Sequence, residues 1–409
     1  MRGLLHKFSV GLLFLYIVSV YVFSYNKDLN IISQVLFITF VGSSLLFICL
    51  RGSVLVPKCL YFLFAFYMLM VASYYWIIED TGVTQRNLTM IVLIAIVVVI
   101  TNIIINEDQV YLLLKMLFFA GIVMCVYSLA IYGVEGTLEA FSVESELRLG
   151  KEINQENTFG VICAISASLG FYFAYHKKEG LFYLISIIPL IFALSSGSRK
   201  VVLILIASAM ILVGTKKGKS KISTFFLYFF SIIILGIVIN YLMSLDMNIL
   251  RRFESFLNVF KDGGVNADSS ALTRLGMIKN GVKWFLEKPI LGHGINQYSV
   301  LYSMQHGVFT YSHSNIIEIL VNHGIVGFVF YYGIYVYMLI SIIRAVKRNV
   351  DNAVAILICY VYLLIMNVFS VVLYEKPIYI ILGTIISYII VNKDKLKKMP
   401  FYEDEENEQ

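Results

Sequence analysis

The apolar residues of this chain fall in long runs, one after another from end to end, and that pattern admits few folds. About 20 apolar residues make a helix that crosses a bilayer, and in lipid only helices and closed barrels satisfy their own backbones. By that rule the sequence predicts helices near 8–24, 30–50, 59–78, 88–105, 110–133, 158–175, 181–195, 201–213, 222–243, 325–343, 353–374 and 377–391. The expectation is an all-α, polytopic membrane protein with about twelve transmembrane helices. Soluble domains carry about 25% charged residues, whereas this 409-residue chain carries 14% and is 59% hydrophobic. No block of ordinary soluble size is left over. A single integral membrane domain, 1–409, with one large external loop, 244–312, is therefore expected.

The basic residues suggest how the helices are threaded, because cytoplasmic loops collect Lys and Arg. With the N-terminus inside, the inner segments hold Arg2, Lys7, Arg51, Lys177, Lys216, Lys217, Arg344, Lys347, Lys393 and several more. Few basic residues fall in the short outer loops, among them Arg86, Arg148, Arg199 and Lys200. Both termini are then cytoplasmic, and the loops around 134–157, 195–200 and 244–312 face outward. The net charge of +6 follows membrane sides and implies no nucleic-acid partner. Arg2, His6 and Lys7 ahead of the first run could imitate a secretion signal. The length of that run, its lack of a small-residue exit and the spans behind it favour an uncleaved first helix. The acidic tail beyond Pro400 reads as a disordered cytoplasmic end.

Several chemistries are disfavoured. All five cysteines lie in or beside apolar runs at no ligand-like spacing, so neither disulfide nor zinc site is expected. Outer loops contain no Asp-x-Asp pair, and no Gly-rich phosphate loop or Ser-based nucleophile motif is present; no metal and no cofactor are expected. No ionisable residue occupies the middle of a span, which argues against an ion-coupled transporter.

The polar residues gather elsewhere. In the long loop, Arg251 to Phe260 has helical spacing, Lys261-Asp262-Gly263-Gly264 breaks it, and Ser269 or Ser270 can cap a second helix from Ala271 to about Glu287 that carries Arg274. Pro289 stops that helix, and Gly292-His293-Gly294 reads as a flexible turn. Next comes Tyr311-Ser312-His313-Ser314-Asn315, after which Asn315, Glu318 and Asn322 share one face of a short helix ended by Gly324. This puts His313 at the start of a helix at the outer interface. The positive end of that helix and nearby arginines should keep the imidazole neutral, as a general base requires. The other histidines read as structural. Arg199, in the turn Ser195-Ser196-Gly197-Ser198-Arg199-Lys200, fits either an anion site or interfacial snorkelling. Arg148 stands ahead of Asn154-Gln155-Glu156-Asn157. Arg251 and Arg252 read as surface residues able to attract phosphate. Outer arginines around one base point to an anionic, lipid-borne substrate with a diphosphate leaving group.

These elements together resemble the O-antigen ligase/polymerase superfamily of bacterial membrane glycosyltransferases. The matching parts are Arg148 with Asn154 to Asn157, the Ser-Gly-Ser-Arg turn at 196–199, Arg274 to Trp284 leading to Pro289-Ile290-Leu291-Gly292-His293-Gly294, and His313-Ser314-Asn315 with Glu318 and Gly324-Ile325-Val326-Gly327. The resemblance spans roughly 145–345. Gln155-Glu156 departs from it, since the family commonly has proline before the asparagine. The resemblance implies a GT-C-like, all-helical fold in the inner membrane and metal-independent, inverting transfer from an undecaprenyl-diphosphate-linked glycan. Arg199 and Arg274 would grip the donor diphosphate with Arg148 assisting, and His313 would deprotonate the acceptor hydroxyl. Asn157, Ser198, Asn315, Glu318, Arg251 and Arg252 would bind substrate. The implied partners are a lipid-linked donor and acceptor, the bilayer, a chain-length regulator and a flippase. The expected function is a Wzy-type polymerase of surface-polysaccharide repeat units. A ligase passing finished glycan to a lipid or wall acceptor is the alternative, and a lipid-linked oligosaccharide flippase ranks below it.

Overall fold

The computed structural model describes residues 2–24, 26, 28–140, 149–153, 155–215 and 269–397. Among them every ordered element is helical: α1 (Arg2–Val22), α2 (Asn30–Arg51), α3 (Leu60–Ala72), α4 (Val83–Ile103), α5 (Glu107–Glu139), α6 (Glu156–His176), α7 (Leu181–Ser195) and α8 (Arg199–Gly214). After the large loop follow α9 (Ser269–Glu287), α10 (Gln297–His306), α11 (Asn315–Lys347), α12 (Ala353–Phe369), α13 (Lys376–Val391) and the short α14 (Lys393–Lys397). Each predicted span coincides with a helix except 222–243, which lies outside the described residues. The protein is an all-α polytopic membrane protein. α1, α2, α4, α5, α6 and α11 are long and apolar enough to cross a bilayer, and α3 with its 3₁₀ extension, α7, α12 and α13 are shorter apolar helices.

Packing follows from these apolar surfaces. α6 lies against α5, α7 and α8; α12 lies against α8 and α11; α4 pairs with α13, and α3 with α11. Where α6 meets its neighbours the contact is set by small residues. A Cβ on Gly160 would come within 2.0 Å of Ser196 Oγ, and one on Gly170 within 2.0 Å of Ser186 Oγ. Close backbone approach of this kind replaces the hydrophobic drive that lipid removes. Large apolar side chains that remain exposed, such as Leu4, Ile38 and Met68, are unremarkable when acyl chains are their solvent.

One knot of backbone positions the site. α11 is broken at Gly324, whose φ of 62° and ψ of −164° are non-helical. The break frees carbonyls and amides that in lipid must find partners. The segment after α9 supplies them. His293 N donates to Val321 O at 2.9 Å and Gly294 N to Asn322 O at 2.7 Å, while Ile325 N donates to Pro289 O at 2.8 Å and Val326 N to Ile290 O at 3.2 Å. The Gly292-His293-Gly294 turn expected to be flexible is therefore pinned. His293 is buried and its Nε2 donates to the Trp284 carbonyl at 2.9 Å. Asn296 and Gln297 then staple the same segment to the loop between α3 and α4, through Asn296 Nδ2 to Thr81 Oγ1 at 2.6 Å and Gln297 Nε2 to Glu79 O at 2.9 Å.

The two ends of the bundle differ. One end is laced by ion pairs: Lys115 to Glu179 at 2.9 Å, Lys177 to Asp351 at 2.5 Å, and Lys395 with Glu107. The other, where α4, α6, α8 and α13 begin and α12 ends, holds a cavity.

Candidate active site

The loop ahead of α11 is tied into one shape by its serines. Ser312 Oγ donates to the Ser314 carbonyl at 2.7 Å and accepts from the Ser314 amide at 3.2 Å. The Ser312 amide donates to the Glu318 carboxylate at 3.0 Å. This ring of bonds holds His313 at φ +58°. Left-handed backbone is uncommon for residues with a Cβ, and a strained backbone of this sort costs about 1–3 kcal/mol, which local bonds must offset. The Tyr311 ring packs beside the imidazole, with centroids 4.4 Å apart.

His313 faces a cavity of about 810 Å³. Asn157 of α6, Lys200 of α8, Arg274 of α9, Arg86 of α4 and Glu318 of α11 share its lining. Residues far apart in sequence thus meet because five helices present their termini to one space. Lys200 is anchored by Ser370, with Nζ to Oγ at 2.5 Å. Arg86 lies over the Tyr374 ring, 5.0 Å from its centroid. Burial, then the charges of Arg274 and Lys200, push the His313 imidazole down from 6.5 to about 4. It is therefore neutral at pH 7, with a lone pair available to take a proton. The direction is the one predicted, yet burial outweighs the neighbouring cations and a lysine is one of them.

The expected site residues separate into three groups. His313, Arg274, Asn157 and Glu318 line the cavity together. Arg199, Ser198 and Asn315 do not. Arg199 opens α8 half-buried, and its neighbour Lys200 lines the cavity instead. Successive residues on a helix project in different directions, so one wall receives only one of the two. Ser198 is buried, and its Oγ has no hydrogen-bond partner among the described residues. Asn315, expected to bind substrate, is fully buried and does not line the cavity. Its Nδ2 donates to Asn367 Oδ1 at 2.8 Å and its Oδ1 accepts from Val372 N at 3.2 Å, tying the start of α11 to the end of α12 and the loop after it. Arg148, Arg251 and Arg252 lie outside the described residues.

Two cavity cations went unselected in the sequence, Arg86 and Lys200. In the sequence both read only as charges of outer loops. Their position was itself a signal, since cations at the outer ends of spans run against the usual distribution and need another reason to be there. Among the described residues, no three His, Cys, Asp or Glu side chains are grouped to hold a metal ion.

Fold and site together define a class: a polytopic helical membrane protein with a cationic cavity at one end and a neutral imidazole in its wall. Residues 184–332 match the family model described as O-Antigen ligase. The similarity covers this stretch of the chain, which contains Lys200, Arg274, His313, Glu318 and the broken helix at Gly324. No curated protein matches the chain. Similarity to this family supports a glycosyl-transferring membrane enzyme.

Proposed function

We propose that this protein polymerises undecaprenyl-diphosphate-linked oligosaccharide repeat units of a surface polysaccharide, working at the outer face of the bacterial inner membrane. The observation that carries the reading is the single cavity in which His313, Lys200 and Arg274 meet. The positive-inside bias puts that end of the bundle outside and the ion-paired end in the cytoplasm. Lys200 and Arg274 hold the donor diphosphate. His313 Nε2 or Nδ1 removes the proton from an acceptor hydroxyl, and that oxygen bonds to the anomeric carbon from the face opposite the diphosphate. The anomeric C–O bond breaks, its electron pair leaves on the diphosphate, and the configuration inverts. A diphosphate needs charge stabilisation more than an acid to depart, so cations and one base suffice. A chain-length regulator and a flippase are the partners such a reaction calls for.

Deleting the gene tests the reading through the glycan that remains. Single repeats on the usual acceptor identify a polymerase; finished polymer left on its carrier identifies a ligase and overturns the proposal. Arg274→Lys keeps a charge and loses the planar fork that grips a diphosphate through two bonds. Its rate of chain extension should fall roughly tenfold or more. An unchanged rate would remove Arg274 from the leaving-group site.

The pH profile is a second check. The imidazole of the free enzyme gains its proton only as pH falls to about 4, so kcat/KM should keep its value down through pH 6 and decline near that acid limb. Lys200→Met removes one of the two like charges that disfavour protonation. The acid limb of that variant should move to higher pH, and a limb that stays in place or moves lower would contradict the assignment.

A further inference from the structure

α9 presents three edges to its surroundings. Met277, Gly281 and Trp284 form a buried edge, packed on the first turns of α11 and on α10. A Cβ on Gly281 would come within 2.3 Å of Ile317, and Tyr298 Oη donates to the Met277 carbonyl at 2.8 Å. Asn280, Lys283 and Glu287 form a polar edge, where Asn280 Nδ2 donates to His306 Nε2 at 3.0 Å. Leu272, Leu275, Val282 and Leu286 share the third edge at helical spacing, and all of them are exposed, Leu286 by 68%. This apolar row continues past the helix into Ile290 and Leu291, which are also exposed. The backbone there is bonded to the span of α11, through Ile325 N to Pro289 O at 2.8 Å and Val326 N to Ile290 O at 3.2 Å. Ile325 and Val329 are exposed on a helix long enough to cross the bilayer, so acyl chains cover them. The row on α9 is thus continuous with a lipid-facing surface.

The helix also lies across the ends of the spans. The part of α11 that it packs on starts at the end of α12, where Asn315 is bonded to Asn367 and Val372. It finishes beside the end of α3, where Gly294 N is bonded to Asn322 O and a Cβ on Gly294 would come within 3.1 Å of Ser73 O. A helix in that position, with an apolar edge and cations beside it, has the character of one lying in a bilayer interface. Lys279 falls within the row and Lys283 at its border, and among the described residues neither is in an ion pair. Their aliphatic stems can follow the apolar edge while the ammonium groups reach lipid phosphates. We infer that α9 is an interfacial helix: Leu272, Leu275, Val282 and Leu286 rest in the bilayer leaflet on the cavity side, beside Ile290 and Leu291, with Lys279 and Lys283 on the lipid phosphates. This placement does not need the transfer reading. It sets Arg274, a cavity residue on the same helix, at the depth of lipid headgroups, where any lipid-borne diphosphate stays.

The test uses the full-length protein with Cys49→Ser, because Cys49 is exposed and the other cysteines are buried. Leu286→Cys and Glu287→Cys, made singly, carry an environment-sensitive bimane label, and the protein is placed in nanodiscs of phosphatidylcholine and phosphatidylglycerol. Two quenchers are applied: a phosphatidylcholine with a nitroxide high on its acyl chain, and iodide in the water. The label at Leu286→Cys should lose most of its emission to the nitroxide lipid, and iodide should quench it several-fold less than the label at Glu287→Cys. Equal quenching by iodide at the two positions would put the row in water. A label at Leu286→Cys that neither quencher reaches would mean that protein covers the row, whether another chain or a second copy. Either result overturns the inference. If Leu286→Cys does not give monodisperse protein, Ile290→Cys takes its place, with the same expected and overturning results.

Discussion

Replacing His313 with alanine should yield a protein that inserts and folds but no longer extends glycan chains, with the rate lowered about 10²–10⁴-fold. The size follows from the role of a positioned base, and the specificity follows from the geometry. His313 projects from a loop into the cavity and contributes nothing to the apolar core. Its backbone sits at φ +58°, so alanine adds a local backbone penalty that a critic could blame. His313→Asn answers that objection, because asparagine visits left-handed backbone readily and cannot act as a base near neutral pH. Both variants should be inactive, with wild-type thermal unfolding for the asparagine form. Polymer of normal length from His313→Asn would end the catalytic assignment.

Gly324→Ala should produce the largest loss of stability. The backbone at φ 62° and ψ −164° lies in a region that is essentially closed to residues with a Cβ. An added Cβ would also come within 2.2 Å of the Ile290 carbonyl oxygen, a backbone atom that cannot rotate away. Moving it would pull apart the hydrogen bonds between 289–294 and 321–326, which satisfy the interrupted helix. A penalty on the order of 3 kcal/mol or more is expected, seen as a lower unfolding temperature and less monodisperse protein in detergent. Gly276→Ala is the control. Nothing lies within 4 Å of a Cβ at that position in α9, so the change should be neutral or stabilise by roughly 0.5–1 kcal/mol. Equal stability of the two variants would mean that the knot at Gly324 does not anchor the fold.

How far the site could be read from sequence depended on the kind of signal. His313, Arg274 and Glu318 stood out because polar residues amid apolar runs are conspicuous, and all three line the cavity. Asn315 stood out for the same reason, and it is buried and bonded to Asn367. A buried amide bonded to Asn367 and a solvent-facing amide have identical letters. Arg199 and Lys200 are adjacent, and only the rotation of α8 about its axis decides which of them reaches the cavity. Arg86 is remote from every motif of the second half. It enters the site because α4 packs against α13, a pairing that apolar periodicity does not encode.

By itself the sequence determined the helical, membrane-spanning class and the approximate limits of the spans. Lipid offers the backbone no partners, so run length translates almost directly into helices. It also determined where polar chemistry had to concentrate. Tertiary structure alone decided which cations share a space with the imidazole and that the glycine turn at 292–294 splints a broken helix. Those outcomes depend on how helices pair and rotate against one another. That is set by many small contacts between residues distant along the chain, and no local pattern records their sum.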